Sequence, residues 1–308
     1  MKRSIHLSAI ARIGAKSGAV IAGLGAICAL ALLFAVTAAP ASAETGRAIA
    51  HDGSPIYFEV HGSGNEFLFL GPGTAPPRAV PAAPGMPPPM AEVVELFAGF
   101  KQTYIDTLGS KFRLVFIEYP GNEPKLYTLT PSAVARDYLA IADAAGAREF
   151  AYAGFSWGCV TGLQLALRTD RMTALVCGGF PVMDGIYDDM LTTTRTMARG
   201  PATLYGIETD SPENGRQFQT YYEGLQSFDD RSVQAALNMP RLSWIGDQDL
   251  PTLNGEPLTH MGQTIMRTRA ELEAAGWDVR IVPGKNHLDG GAAGVQAPLI
   301  GEWLSNLD

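Results

Sequence analysis

One serine in this sequence lies in a context that suits nucleophilic catalysis. Ser156 is the centre of Gly154-Phe155-Ser156-Trp157-Gly158, which matches the pattern Gly-x-Ser-x-Gly. A serine hydroxyl is a weak nucleophile until a base removes its proton, so this chemistry also needs a histidine. In a chain with 34 glycines the pattern alone arises easily by chance. Here a strand-like apolar run precedes it and a helical run follows it, which is the context that exposes a serine on a tight turn.

His287 is the histidine best placed to act as the base. It follows Gly284-Lys285-Asn286, directly after the last apolar run that predicts a strand. Parallel sheets bind their ligands in loops at the carboxyl ends of strands, and this loop is one of them. We expect His51 and His61 to be solvated in an N-terminal hairpin. His260 begins a helical segment, where we expect a structural or exposed role.

The acid that would hold the histidine in one tautomer has two candidates. Asp247 and Asp249 both follow an apolar strand that ends at Ile245. Either carboxylate could serve, and the chain order Ser, Asp, His is the order expected of a serine on a strand-to-helix turn. We prefer Asp249, and we expect Asp247 to have a turn or capping role.

A tetrahedral oxyanion would need preorganised N–H donors. The first is predicted to be the backbone N–H of Trp157, the residue after the candidate nucleophile. The second should come from the loop after the apolar run at 67–70, which continues as Gly71-Pro72-Gly73-Thr74. Thr74 is the preferred donor in this loop, with Gly73 next.

The elements that must position these residues alternate along the chain. Apolar runs predict strands at 67–70, 114–117, 150–153, 174–177, 242–245 and 279–282. Helical spacing separates them at 92–108, 131–146, 160–167 and 262–275, with a last helix at 298–304. Two short strands, 47–51 and 56–60, precede them and are joined by a turn at Asp52-Gly53. This alternation predicts the α/β class, with a doubly wound and mostly parallel sheet.

The alternation stops between 181 and 239, which is polar and aromatic without a strong strand signal. We predict a small helical lid there, called the lid segment below, inserted into a core formed by 44–180 and 240–308. Its aromatic residues could line the cleft or form the core of the lid: Tyr187, Tyr205, Tyr221, Tyr222 and Phe228. The Pro-rich stretch at 71–90 cannot be a helix or central strand, and it is interpreted as a wall of the cleft.

Residues 1–43 differ in composition from the rest of the chain. Four basic residues open the segment, an apolar run covers 19–36, and Ala41-Ser42-Ala43 matches a small-x-small cleavage pattern. These features predict a signal peptide that is cleaved after Ala43, and hence a secreted or periplasmic protein without stable membrane association. The alternative is an uncleaved anchor, because the apolar run approaches spanning length.

Composition and charge exclude several classes of partner. The chain is 46% apolar and 18% charged, which is typical of globular proteins. Its 23 basic and 31 acidic residues give a net charge of -8. Without 1–43, which holds four of the basic residues and no acidic one, the charge would be -12. An acidic surface disfavours nucleic acids and anionic membranes, so we expect a small-molecule substrate.

Two cysteines follow the predicted signal peptide. Cys159 lies beside the serine turn and Cys177 lies in an apolar strand, so we expect buried free thiols. A disulfide between them is the alternative that an extracellular location would permit. The histidines and cysteines lack metal-ligand spacing, and serine-based acyl transfer needs no cofactor, so neither a metal nor a cofactor is expected.

These residues together resemble the α/β-hydrolase family, over 56–303 of the chain. The run 67–73 is similar to the family's apolar strand leading to His-Gly, and 118–121 is similar to its Asp-x-Pro-Gly turn. The serine turn and the two loops that hold the candidate acid and base complete the match. The family's acid is usually the aspartate three residues after the glycine of its strand, which implies Asp249 after Gly246.

The sequence departs from the family pattern at two positions. Pro72 stands where many members have histidine, and Cys159 stands where many have a second glycine. Neither change removes a catalytic group. The turn Gly-x-Ser-Trp-Gly also resembles that of proline iminopeptidases, although over only a few residues. Dehalogenase-like and epoxide-hydrolase-like members use an aspartate nucleophile, so Ser156 argues against those reactions.

Three functions compete at this point. The first is a carboxylic-ester hydrolase that forms an acyl-enzyme on Ser156. The second is a proline-iminopeptidase-like aminopeptidase, which would need acidic lid residues facing the cleft. The candidates for that role are Asp184, Asp188, Asp189, Glu208 and Glu213. The third is a secreted binding protein on a hydrolase scaffold, which would not require serine, aspartate and histidine together.

Overall fold

A computed structural model describes residues 43–74, 99–117, 119–120, 125–209 and 211–307 of the 308-residue chain. The predicted signal peptide up to residue 42, most of the predicted Pro-rich wall and the start of the predicted helix at 92–108 lie outside the described residues. Across the segments that are described, no helix has both the length and the apolar character needed to span a bilayer.

The strands are β1 (Glu44–Ile49), β2 (Pro55–His61), β3 (Glu66–Leu70), β4 (Phe112–Ile117), β5 (Phe150–Phe155), β6 (Met172–Gly178), β7 (Ala202–Leu204), β8 (Ile207–Thr209), β9 (Arg241–Gly246), β10 (Thr252–Leu253), β11 (Glu256–Pro257) and β12 (Trp277–Val282). The helices are α1 (described over 99–108), α2 (Pro131–Ala144), α3 (Trp157–Ala166), α4 (Tyr187–Met197), α5 (Pro212–Glu223), α6 (Met261–Ala274), α7 (His287–Gly290) and α8 (Ala293–Leu304), with a short 3-10 helix at Gln234–Ala236.

Eight strands form one mostly parallel sheet, in the order β1-β2-β4-β3-β5-β6-β9-β12. Strand β2 is antiparallel to both β1 and β4, and the remaining neighbours are parallel. The predicted α/β class with a mostly parallel sheet is therefore confirmed. Strands β5 and β9 are buried at every residue, as expected for strands covered on both faces.

Helices cover both faces of this sheet. Helices α2, α3 and α6 contribute Tyr138, Leu163 and Ile265 to the apolar cluster on one face. Helices α1 and α8 contribute Tyr104 and Trp303 to the cluster on the other face. Because β3, β5, β6, β9 and β12 are parallel, their carboxyl ends lie at one edge of the sheet. The loops after β3, β5, β9 and β12 meet at that edge.

The lid segment contains more than helices. Besides α4, α5 and the 3-10 helix it holds the hairpin β7–β8, which the sequence analysis did not predict. The hairpin joins β10 and β11 in a four-stranded sheet, with Leu204 paired to Leu253. Three-residue strands give little periodic signal, so partners distant in sequence decide their structure.

The prediction that His51 is solvated is wrong. Its side chain is 7% exposed, and its Nδ1 lies 2.8 Å from the carboxylate of Asp137, which is itself 1% exposed. The same carboxylate accepts the His51 backbone N–H at 2.6 Å and the Tyr119 hydroxyl at 2.7 Å. The N-terminal hairpin extends the sheet instead of leaving it, and α2 then packs over it. His61 is also partly buried, with its Nε2 2.8 Å from Glu59.

Both cysteines are buried and free, as predicted. The Cys177 thiol lies 3.5 Å from the carbonyl oxygen of Cys159 and is positioned to donate to it. Burial raises the pKa of the Cys159 thiol well above its usual value. A thiol that stays protonated in an apolar site reacts slowly, so Cys159 acts as a packing group. Cys177 is fully buried and packs in the same apolar cluster.

We predict that Asp137→Ala lowers the free energy of unfolding by about 3 kcal/mol, because it leaves the backbone N–H and imidazole of His51 and the buried hydroxyl of Tyr119 without their acceptor. Urea denaturation would measure the loss. Asp143→Ala on the same helix is the matched control. Asp143 is 70% exposed and pairs with Arg171 at 2.7 Å. Loss of such a surface pair should cost less than about 1 kcal/mol. Equal losses in the two variants would contradict the prediction.

Candidate active site

Ser156 occupies the turn between β5 and α3. Its backbone angles are φ 56° and ψ -119°, which a residue other than glycine rarely adopts. The Ser156 N–H donates to the carbonyl of Gly178 at 2.8 Å, which ties this turn to the end of β6. Strain of this kind persists only where the surrounding structure imposes it. The sharp turn exposes the serine side chain at the carboxyl edge of the sheet, as the pattern predicts.

The second glycine of the pattern is needed for close packing. A Cβ on Gly158 would overlap the carbonyl oxygen of Pro72. The loop after β3 also accepts a hydrogen bond from the turn, because Phe155 N–H donates to Pro72 at 3.1 Å. The serine turn and the loop that follows β3 are therefore in direct backbone contact.

His287 begins the short helix α7 immediately after the loop that follows β12. Its Nε2 lies 3.0 Å from Ser156 Oγ, and its Nδ1 lies 2.8 Å from Asp249 Oδ2. With the proton on Nδ1 donated to the carboxylate, Nε2 is free to accept the serine proton. His287 is 7% exposed and Asp249 is 1% exposed. The structure thus brings together the three residues that the sequence analysis selected.

Asp249 and Asp247 have different surroundings. Asp247 Oδ1 accepts the backbone N–H of Gly284 at 2.7 Å in an exposed position, which is the turn role expected for it. Asp249 is the carboxylate beside the imidazole. Its Oδ1 is buried and has no hydrogen-bond partner among the described residues. A buried carboxylate with so few donors depends on its histidine for a hydrogen-bond partner, and that bond orients the imidazole.

The two predicted oxyanion donors differ in their availability. Trp157 is the first residue of α3, and its N–H donates no hydrogen bond among the described residues, as is usual at a helix start. Thr74 N–H instead donates to Gly71 O at 3.1 Å, and the Thr74 hydroxyl donates to the same oxygen at 2.6 Å. The backbone hydrogen bond between Thr74 and Gly71 closes a four-residue turn. Pro72 is its second residue and Gly73, with φ 77°, is its third, as in a type II turn. Within the described segments the N–H of Gly73 donates to no acceptor.

Gln296 fastens this turn to the loop after His287. The side chain is fully buried, and its Nε2 donates to Gly73 O at 3.0 Å and to the carbonyl of Gly291. Nothing in the sequence pattern distinguishes Gln296, because a glutamine inside an apolar helix carries no catalytic signal of its own.

Solved structures show the same architecture at low sequence identity. An esterase from Thermogutta terrifontis superposes with a TM-score of 0.54 at 14% identity, covering 87% of this chain and 99% of that one. Carboxylesterase CesB from Bacillus subtilis gives a TM-score of 0.51 at 14% identity, covering 87% and 92%. A bottromycin epimerase gives 0.54 at 14% identity, covering 86% and 99%. No protein-family model matches the sequence, and no curated relative matches it. This chain has the α/β-hydrolase fold.

The α/β-hydrolase fold does not by itself determine the reaction. The similar structures include an epimerase as well as esterases, so the reaction of this chain depends on the residues of its own site. Among the described residues, no group of three or more histidine, cysteine or carboxylate side chains could hold a metal ion.

Aromatic rings surround the site in this α/β-hydrolase fold. Trp157 lies parallel to Tyr119, with 6.3 Å between ring centroids, and meets the edges of Phe218 and Tyr221 from α5 at 4.8 and 5.3 Å. Of the five lid aromatics named from the sequence, Tyr187, Tyr221 and Tyr222 are core residues and Phe228 packs against the same cluster. Tyr205 packs against this cluster too and also contacts His287, with ring centroids 4.3 Å apart.

Two of the five acidic lid residues named from the sequence are engaged by other groups. Asp184 pairs with Arg231 and Arg267, at 2.6 and 3.2 Å. Asp189 accepts the backbone N–H of Thr259 at 2.8 Å. Both line a cavity of about 390 Å³ together with Asp188. Ser156, His287 and Asp249 are not among the residues that line this cavity.

We predict that Asp249→Asn slows covalent labelling of Ser156 by a fluorophosphonate by about 10³-fold or more, because an amide no longer holds the imidazole in the reactive tautomer. Asp247→Asn is the matched control and should stay within about threefold, since Asp247 only accepts a turn hydrogen bond. The measurement is the second-order labelling rate, followed by intact mass. Comparable slowing in both variants would contradict the placement of Asp249 as the acid.

Proposed function

We propose that this chain is a serine hydrolase that cleaves carboxylic esters through an acyl-enzyme, with Ser156, His287 and Asp249 as its catalytic residues. The observation that carries the proposal is the continuous line of hydrogen bonds from Ser156 Oγ through the imidazole to Asp249 Oδ2, at 3.0 and 2.8 Å. It supplies a nucleophile, a base in reach of its proton and an acid that orients the base.

The first half of the reaction forms the acyl-enzyme. Ser156 Oγ attacks the ester carbonyl carbon while its proton moves to His287 Nε2. The negative charge on the carbonyl oxygen is stabilised by N–H donors, for which the free N–H of Trp157 is the first candidate. The turn 71–74 would supply the second, from Gly73 in the conformation described and from Thr74 if its turn hydrogen bond is shared. The alkoxide then leaves with the proton from His287.

The second half of the reaction releases the acid. His287 removes a proton from water, and the resulting hydroxide attacks the acyl carbon. The tetrahedral intermediate collapses, Ser156 leaves as the alcohol and recovers its proton from the imidazole. No step needs a group outside the chain other than water and the small-molecule ester.

An ester is favoured over the free amino terminus of a peptide. An aminopeptidase needs a carboxylate near the site to pair with the substrate ammonium, whereas the three aspartates of the five candidates line a separate cavity, where Asp184 and Asp189 are engaged by Arg231 and by the Thr259 N–H. A pure binding role is also disfavoured, because it has no use for a strained serine aligned with a base and an acid.

We predict that the protein hydrolyses short-chain p-nitrophenyl esters and that Ser156→Ala lowers kcat by about 10⁴-fold or more, because no acyl-enzyme can form. Initial rates and burst amplitudes under excess substrate would measure this. Proline p-nitroanilide tests the aminopeptidase alternative on the same preparations. Equal ester rates in wild type and Ser156→Ala would exclude Ser156 as the nucleophile.

The composition of 1–43 supports an extracytoplasmic location. We predict that a bacterial host with a secretory pathway exports the chain and releases a product that begins at Glu44. N-terminal sequencing and intact mass of the exported protein would check the cleavage site. A membrane-bound product that retains residues 1–43 would instead favour the anchor alternative.

A further inference from the structure

Tyr205 from the lid segment lies flat against the imidazole of His287. The ring centroids are 4.3 Å apart and the planes differ by 6°. Phe155, next to the candidate nucleophile, also contacts the imidazole, at 4.8 Å between centroids. The candidate base is therefore in contact with one ring from the core and one from the lid.

The backbone at Tyr205 is in a conformation that a tyrosine disfavours. Tyr205 and Gly206 form the two-residue turn of the β7–β8 hairpin, with φ of 53° and 77°. Turns with positive φ at both central residues prefer Asn-Gly. The adjacent β10–β11 hairpin has that pair, Asn254 and Gly255, at φ of 52° and 84°. The β7–β8 hairpin, called the lid hairpin below, thus has a tyrosine at the turn position where asparagine would adopt the same backbone conformation with less strain.

Backbone hydrogen bonds join the lid hairpin to the chain that follows the candidate acid. Tyr205 N–H donates to the carbonyl of Thr252 at 3.0 Å. Asn254 N–H donates to Thr203 O at 2.7 Å, and Thr203 N–H donates to the Asn254 side chain at 2.8 Å. Thr252 lies three residues after Asp249. The position of Tyr205 is therefore set relative to the loop that holds the acid.

The ring of Tyr205, and not its hydroxyl, makes the contact with the site. Hydrogen bonds among the described residues include none to the Tyr205 hydroxyl. Burial, with the nearby charge of Asp249, raises the pKa of the phenol well above its usual value, so the ring stays neutral beside the carboxylate. A phenylalanine would keep the ring contact with the His287 imidazole.

We propose that Tyr205 is a positioning residue, which holds the His287 imidazole in the orientation that reaches both Ser156 and Asp249. The inference rests on the proposed function, since it assigns the lid a part in aligning the base. A stacked ring restricts rotation of the imidazole, and misalignment of a base by about 1 Å costs on the order of 100-fold in rate. The lid hairpin then completes the site as well as covering it.

The test compares Tyr205→Asn with Tyr205→Phe in the full chain. Asparagine suits the turn, so Tyr205→Asn should melt at or above the wild-type temperature while fluorophosphonate labelling and kcat fall by about 30-fold or more, with KM changing less. Tyr205→Phe should keep both rates within about threefold. Tyr127→Asn is the matched control, because Tyr127 has φ 63° and is 73% exposed, and its labelling rate should not change.

Each outcome decides the matter. Wild-type labelling by Tyr205→Asn, with Ser156→Ala unlabelled, would overturn the positioning role and leave the proposed function intact. A Tyr205→Asn protein that melts far below wild type would make Tyr205 a structural residue and overturn the proposal. Failure of Tyr205→Phe to restore the rate would mean that the ring is not the active part. A wild type that does not label would overturn both the proposed function and this inference.

Discussion

Parallel pairing of β5, β6, β9 and β12 is the constraint on which the rest of this structure depends. Parallel strands end at a common edge, so the loops that carry Ser156, Asp249 and His287 meet there although the first and last are 131 residues apart. The pairing is stable because β5 and β9 are buried at every position between two layers of helices. The site is thus a consequence of strand direction and burial, which also impose the strained backbone at Ser156.

Two buried aspartate–histidine pairs in this fold have different uses. Asp137 accepts from His51 and from the Tyr119 hydroxyl, so its carboxylate is well satisfied and ties the N-terminal hairpin to α2. The Asp249 carboxylate has the imidazole of His287 as its only hydrogen-bond partner among the described residues, and that imidazole faces a serine hydroxyl. The chemistry of the pair is the same in both places. Two features distinguish a structural pair from a pair suited to proton transfer. One is the group that the second ring nitrogen faces, and the other is the number of hydrogen bonds that the carboxylate accepts.

The lid segment contacts His287 through a residue whose backbone conformation disagrees with its local preference. Sequences usually agree with their fold at every level, and exceptions concentrate at functional sites. Ser156 and Tyr205 both have positive φ without being glycine, and both contact His287. The strain at Ser156 follows from the sharp turn that presents its hydroxyl. The strain at Tyr205 lies in the β7–β8 hairpin, which pairs with β10. This pairing sets the position of the hairpin relative to the loop that contains Asp249.

The sequence by itself determined the strands of the sheet, the serine turn and the choice of His287, because each depends on short-range apolar patterning and on residues next to a strand end. Only the tertiary structure decided which of Asp247 and Asp249 lies beside the imidazole, since both follow β9 and differ in the direction of their side chains. It also decided that the Thr74 N–H closes a turn, that His51 is buried, and that Tyr205 covers the base. These outcomes depend on contacts between segments far apart in sequence. Local sequence patterns do not indicate the strength of such contacts.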